Sequence, residues 1–389
     1  MFKFFDLTRW LLILTIFVSE GLVEGRTTTM KAVNKAIIKT IKVENDEIID
    51  CYDIYRQPSL NHPFLHNHTI QMRPSSYPKG MKTDNLGTLQ LTQILHKYGS
   101  CLLGTIPIRR KGKNYNPALL RKHHYPRLSP YKTSVTSHSN DTADDSTEDS
   151  GDQNMYLLQY ATIKVVGNFL GAQAKINLWK PYVEKNGLSI SQIWVVTEDK
   201  NTNTIEVGWE VCQNLYGDDR TRFFLLWTAD GYTDTGCYNL LCDGFVHTAS
   251  NVSLDCSFSD VSTFNGSQKD VTFSIHKDQS SGHWWVQLQG IPIGYYPSSL
   301  FDELSKEATR HTSTQMGSGH FPSDGGLKTS SYFNWVQVVD ENNMMKDPEN
   351  VETYVTNPNC YDLKIDNGNY DTNGYTFYYG GPGYNDRCQ

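Results

Sequence analysis

The chain runs to 389 residues and carries 35 Lys+Arg against 42 Asp+Glu, a net charge of −7. That length allows two or three domains. From Asn154 onward there are 15 Lys+Arg against 27 Asp+Glu, a net of −12, leaving 20 against 15, a net of +5, in the part before it. An acidic C-terminal half repels phosphate, which excludes nucleic acid as its partner.

The first residues have the layout of an export signal. Lys3 and Arg9 precede an apolar run from Trp10 to Val18, and Val23 and Gly25 stand three and one positions before a cut that would leave Arg26 first. The run is shorter than the roughly 20 apolar residues that span a bilayer, and no later segment is apolar enough to anchor in one. Eight cysteines follow: Cys51, Cys101, Cys212, Cys237, Cys242, Cys256, Cys360 and Cys388. An even count in an exported chain points to disulfides. Asn-x-Ser/Thr sequons begin at Asn67, Asn140, Asn251 and Asn265, the signature of a glycoprotein.

A first unit spans residues 26–132. Between Thr29 and Ile49, apolar Val33, Ala36, Ile37, Ile41 and Val43 fall at helical spacing among lysines, which predicts an amphipathic helix. A Pro/His-rich stretch separates Cys51 from Cys101, the natural disulfide pair within this unit. Residues 133–153 are Ser, Thr, Asp, Asn and Gly with almost nothing to bury, a linker open to proteolysis. The opposite charges of the two halves predict that the front segment masks the acidic one and leaves in acid, as carboxylates lose charge.

Beyond the linker, short runs rich in β-branched and aromatic residues recur between Gly, Asn, Asp and Ser clusters. Examples are Ser191–Thr197, Thr204–Val211, Arg222–Thr228, Val271–His276, Trp284–Leu288 and Tyr332–Val338. This is the pattern of an antiparallel sandwich or barrel. In the second run Glu206, Gly208 and Glu210 share one face, and Ile205, Val207, Trp209 and Val211 the other. A helix is expected from Ser298 to Ala308.

Several catalytic patterns fail. Asp234-Thr235-Gly236 has no second Asp-Thr/Ser-Gly to share a proton with, so it reads as a turn before Cys237. Gly317-Ser318-Gly319 is not a nucleophile elbow. His66-Asn67-His68 and His123-His124 lack zinc spacing, and no phosphate-cradling loop is present, so neither metal nor cofactor is expected.

Longer motifs carry a resemblance. Asn203–Trp209 with Leu215-Tyr216-Gly217-Asp218 resembles the neprosin family of plant secreted peptidases. So do Trp227-Thr228, Thr235–Val246, Gly294-Tyr295-Tyr296-Pro297 and His311–Phe321. The front unit is similar to that family's activation peptide through Cys51, the Pro/His stretch, Cys101 and Gly104–Arg110. The resemblance implies a mainly β chain: an antiparallel β-sandwich mature domain, residues 154–389, preceded by a small α+β activation segment. It implies a glutamic endopeptidase zymogen that cuts after proline in acid, acts on proline-containing peptides, and has its own activation peptide as partner. It also implies secretion, to the cell wall or vacuole. The disulfides Cys237–Cys242 and Cys360–Cys388 match family cysteines. Cys212 and Cys256 are additional, and their places at strand ends predict a further bond.

By residue-for-residue match Glu206 corresponds to the first catalytic Glu, which takes a proton from water as the water attacks the scissile carbonyl. The family carries its second Glu in a W-G-G-E segment. Here Glu307-Ala308-Thr309-Arg310 leads directly into His311, and that segment is absent. Glu303 and Glu307 sit at i, i+4 on the expected helix, the pattern of a solvated face. Glu210 lies about 13 Å along the strand from Glu206. Two expectations therefore stand side by side: a peptidase with a substitute acid, and a catalytically silent relative that binds peptide or a cell-wall component.

Overall fold

A computed structural model describes residues 36–81, 93–111, 159–184, 187–197, 202–232, 235–301, 315–324, 326–366 and 373–383. The export signal, the linker at 133–153, Asn140, Glu303, Glu307 and the Arg310–His311 junction lie outside them. No helix among the described residues is long and apolar enough to cross a membrane.

The front segment contributes β1 (Ile37–Lys42), β2 (Ile48–Asp53) and β3 (Thr105–Arg109), an antiparallel sheet in that order. The helix expected over Thr29–Ile49 is therefore corrected to a hairpin from Ile37 onward. Asn45 and Asp46 have φ of 58° and 59°, the left-handed pair of a tight hairpin turn, and Val43 N–H donates to the Glu47 carbonyl at 2.8 Å. The β-branched Ile and Thr residues on either side prefer this pleated surface. Ile41, Val43, Ile49 and the Cys51–Cys101 disulfide form its small core. The other described elements of the segment are four short 3₁₀ helices between Ile54 and Lys97.

The sandwich follows in chain order. Its strands are β4 (Ala161–Lys164), β5 (Gly171–Asn177), β6 (Ser189–Thr197), β7 (Asn203–Val211), β8 (Arg222–Thr228), β9 (Cys237–Tyr238) and β10 (Val246–His247). They continue with β11 (Asp270–Lys277), β12 (Trp284–Leu288), β13 (Ile291–Tyr296), β14 (Ser331–Val339), β15 (Met345–Lys346), β16 (Glu352–Val355), β17 (Asp362–Asp366) and β18 (Thr376–Gly380). One sheet is ordered β6-β7-β8-β9, and the larger one β10-β13-β12-β11-β5-β14-β18-β17 with β15 beside β14. Every strand pair in both is antiparallel. All six expected strands are present. Of the expected helix, Ser298–Leu300 is a 3₁₀ turn and residues 302–308 lie outside the described residues.

The core lies between the sheets. Ile205, Val207, Trp209 and Val211 of β7 and Phe223, Leu225 and Trp227 of β8 pack against Val271, Phe273 and Ile275 of β11 and Ala172, Ala174 and Ile176 of β5. Phe223 and Phe273 stack at 5.9 Å. Period-2 alternation in each strand produces this, since alternate positions turn inward together. The front segment packs on the outside. Leu60, Leu65 and Ile70 cover Trp285 and Tyr295 on the outer face of the larger sheet. The bridge Ile108↔Leu254 joins β3 to the sandwich, where nearby Ser257 bridges to Arg222 at the start of β8.

Cys237–Cys242 is bonded, and Cys360 is disulfide-bonded while Cys388, its expected partner, lies outside the described residues. The Cys212–Cys256 bond is corrected: both are free thiols. Cys212 ends β7, whereas Cys256 is buried in the core of the front segment's sheet.

Candidate active site

Glu206 stands mid-strand in β7 on the face turned away from Trp209, as the alternation predicts. Its neighbours across the sheet are Trp194 on β6 and Leu226 on β8. The next row along is Gln192, Gly208 and Phe224, and the row beyond is Ile190, Glu210 and Arg222. Glu206 is buried, with 1% of its surface exposed.

A buried carboxylate needs hydrogen bonds to offset lost hydration. Neutral groups donate to Glu206. Gln192 Nε2 donates to Oε2 at 2.8 Å, Thr204 Oγ1 donates to Oε1 at 3.3 Å, and the Tyr232 hydroxyl makes a short bond to Oε1. Gln192 reaches Glu206 because Gly208 stands beside it. A Cβ at Gly208 would lie 2.7 Å from the Gln192 Cα, so only glycine lets β6 approach this closely. The Gln192 carbonyl oxygen is buried without a partner among the described residues, so this amide keeps acceptor capacity in hand.

Glu210 is not a second member of this site. Its side chain is buried and the Tyr216 hydroxyl donates to it; burial foremost, with the negative charges of Asp255 and Glu206, pushes its carboxyl up to about 8. It borders a buried ionic cluster instead. Arg222 Nη1 and Nη2 donate to Glu47 Oε1 and Oε2 at 3.0 and 3.2 Å, and Arg222 Nη2 also meets Asp218 at 2.6 Å. Arg220 and Arg109 bind the same Glu47 at 2.6 and 3.0 Å. Burial would raise Glu47, but Arg222, Arg109 and Arg220 outweigh it and hold the carboxyl below its ordinary value. Asp255, half-buried beside them, is pushed up to about 6, chiefly by desolvation.

Thr235 of the Asp-Thr-Gly run is a loop staple: its N–H and hydroxyl donate to the Asp230 carboxylate at 2.9 and 2.7 Å. Gly317 and Gly319 are left-handed turn positions. His68 Nε2 lies 2.6 Å from the Tyr295 hydroxyl. Sequence reasoning missed Gln192, Tyr232 and the Glu47–Arg222 pair. Asn45-Asp46 was a legible hairpin signal for the last; the other two come to Glu206 through cross-strand register and a loop.

Among solved structures, scytalido-glutamic peptidase with a peptide-based transition state analog is similar at 11% identity and a TM-score of 0.34, over 58% of this chain and 97% of that one. SCP-B, an eqolisin-family peptidase in complex with the tripeptide Ala-Ile-His, is similar at 10% and 0.33, over 57% and 96%. CG-16, a homodimeric agglutinin from chicken liver, is similar at 8% and 0.24, over 39% and 93%. Likeness at this level assigns no activity. The family matches are of a different order: the neprosin activation peptide over residues 40–162 and neprosin over residues 185–382. With half of its length matched by the second alone, and the two in the order of a peptidase zymogen, the chain belongs to the neprosin family.

Proposed function

We propose that this protein is a secreted glutamic endopeptidase zymogen that cleaves after proline in acid, with Glu206 as its general base. The observation that carries the reading is a buried glutamate on a neprosin-domain strand, held by the neutral donors Gln192, Thr204 and Tyr232. Those bonds orient the carboxylate, so it can take a proton from an attacking water. The export signal, eight cysteines and sequons support secretion. The activation segment, residues 26–132, is the intramolecular partner, and a proline-containing peptide the substrate.

A silent, peptide-binding or cell-wall-binding relative is the second reading. It is favoured by the direct passage from Arg310 to His311, where the family's W-G-G-E is absent. The full chain, incubated in acid and assayed on proline-containing peptides beside Glu206→Gln, separates the two. Cleavage lost in the variant supports the peptidase. Peptide retained by both chains without cleavage supports the binder.

A further inference from the structure

We propose that Tyr232 is a positioning residue for Glu206, presented by a loop built to hold its phenol on the carboxylate. The proposal rests on Glu206 being the reacting group and adds a residue whose role can be read without turnover.

Two further donors to Glu206 stand on strands, Gln192 on β6 and Thr204 on β7. Tyr232 comes from the connection after β8, is half-buried, and reaches the carboxylate from outside the sheet. It packs with Leu188, Leu215 and Leu241 over the small apolar cluster on that face. The Thr204 hydroxyl lies 3.0 Å from its oxygen, so Thr204, Tyr232 and Oε1 form one triangle.

The backbone there is unusual. Gly231 and Tyr232 are consecutive left-handed residues with φ of 66° and 65°. An aromatic residue disfavours that region, and persists in it only when its surroundings over-determine it. They do. Tyr232 N–H donates to Thr228 Oγ1 at 2.9 Å, and Gly231 N–H donates to the Thr202 carbonyl at 2.7 Å. Asp230 ties the loop shut, accepting from Thr228 and Thr235 hydroxyls and from Thr235 N–H. Gly236 leaves the space the ring needs, since a Cβ there would sit 3.1 Å from Tyr232 Cδ1. Simple chain reversal requires none of this; aiming one hydroxyl does.

The consequence is chemical. A hydroxyl donating to the ionised carboxylate favours that form and fixes which oxygen faces the incoming water. Among the described residues, Glu210 on β7 and Tyr296 on β13 feel Glu206, both raised by burial first and by Glu206 after it.

The test is the titration of the Glu206 carboxyl in the intact chain, read by infrared difference spectroscopy with isotope-labelled glutamate and identified by its loss in Glu206→Gln. Tyr232→Phe keeps the ring and removes the hydroxyl. The expected result is an upward shift of about one unit, the worth of one hydrogen bond to a charged group, with the acid limb of kcat/KM moving by the same amount. Asp230→Asn, which loosens the loop and leaves Tyr232 in place, is expected to shift it the same way by less. An unchanged Glu206 titration in Tyr232→Phe overturns the proposal; where that variant does not fold, an unchanged titration in Asp230→Asn does. A shift in a chain that turns over no peptide upholds the positioning role and refutes the peptidase reading instead.

Discussion

Glu47 and Arg222 meet carboxylate to guanidinium with neither side chain open to solvent, and they join the activation segment to the sandwich. The negative partner is on the segment and the positive one on the sandwich, the reverse of the +5 and −12 split between the halves. At this pair, then, the polarity runs against the global split, while Arg109 and Lys111 of the segment act on Asp255 of the sandwich in the sense of that split. Arg222 also stands two rows from Glu206 on the same face of the smaller sheet, so the β1–β2 turn anchors at the end of the strand face that carries the candidate base.

Glu47→Gln leaves Arg222 with Asp218 as its remaining carboxylate. Removing one member of a buried pair costs about 3 kcal/mol. The expected result is a lower melting temperature and faster release of the segment after proteolysis. Unchanged melting would show that Asp218 alone satisfies Arg222.

Acid release of the segment is expected to come from histidine, not from Glu47. His68 of the segment and His283 of the sandwich lie 5.6 Å apart, and burial lowers both. Asp278 faces His283 and tends to raise it. A lowered imidazole stays neutral in the docked state, so docking is intact above the ordinary value of about 6.5 and weakens as pH falls below it. Glu47, held low, keeps its charge until stronger acid. Binding of the nicked segment is expected to weaken as pH falls below about 6.5, and less so in His283→Gln. Equal pH dependence in both chains would refute this.

Glu210 sets a second pH dependence of opposite sense. It is pushed up to about 8 from 4.5 by burial, and Asp255 to about 6 from 3.8. Below 4 both are protonated in folded and unfolded chains alike. Above that the unfolded chain ionises first, so stability falls as pH rises and levels off beyond about 8, by on the order of 3–5 kcal/mol for Glu210. Glu210→Gln is expected to flatten the upper part of this decline in a melting series from pH 5 to 9.

Burial holds the Cys212 and Cys256 thiols at about 12. The thiolate is the reactive form, so neither is expected to be alkylated in the folded protein. Denaturation without reductant is expected to expose two thiols per chain. Four would show that one of the other bonds is open.

Insertion of W-G-G-E between Arg310 and His311 is expected to raise proline-directed cleavage. A matched acid that polarises the carbonyl and protonates the leaving nitrogen is worth about 10²–10⁴-fold. No gain, with Glu206→Gln still abolishing cleavage, would mean that another group already supplies the acid.

By itself the sequence determined the β-sandwich, six of its strands and the face on which Glu206 stands. Those depend on period-2 alternation and β-branched runs, which are local and survive any packing. It also carried the neprosin motifs and the Cys51–Cys101 pairing. It misread Thr29–Ile49, where apolar spacing fits a helix but the Asn45-Asp46 turn and neighbouring strands win. It mispaired Cys212 with Cys256, because strand-end position says nothing about distance across a fold. What surrounds Glu206 was decided only in three dimensions. Gln192 arrives by register across fourteen residues of chain, Tyr232 by a left-handed loop, and Arg222 meets Glu47 from 175 residues away. Contacts of that kind follow from which edges and faces the sheets bring together, and no spacing in the chain encodes them.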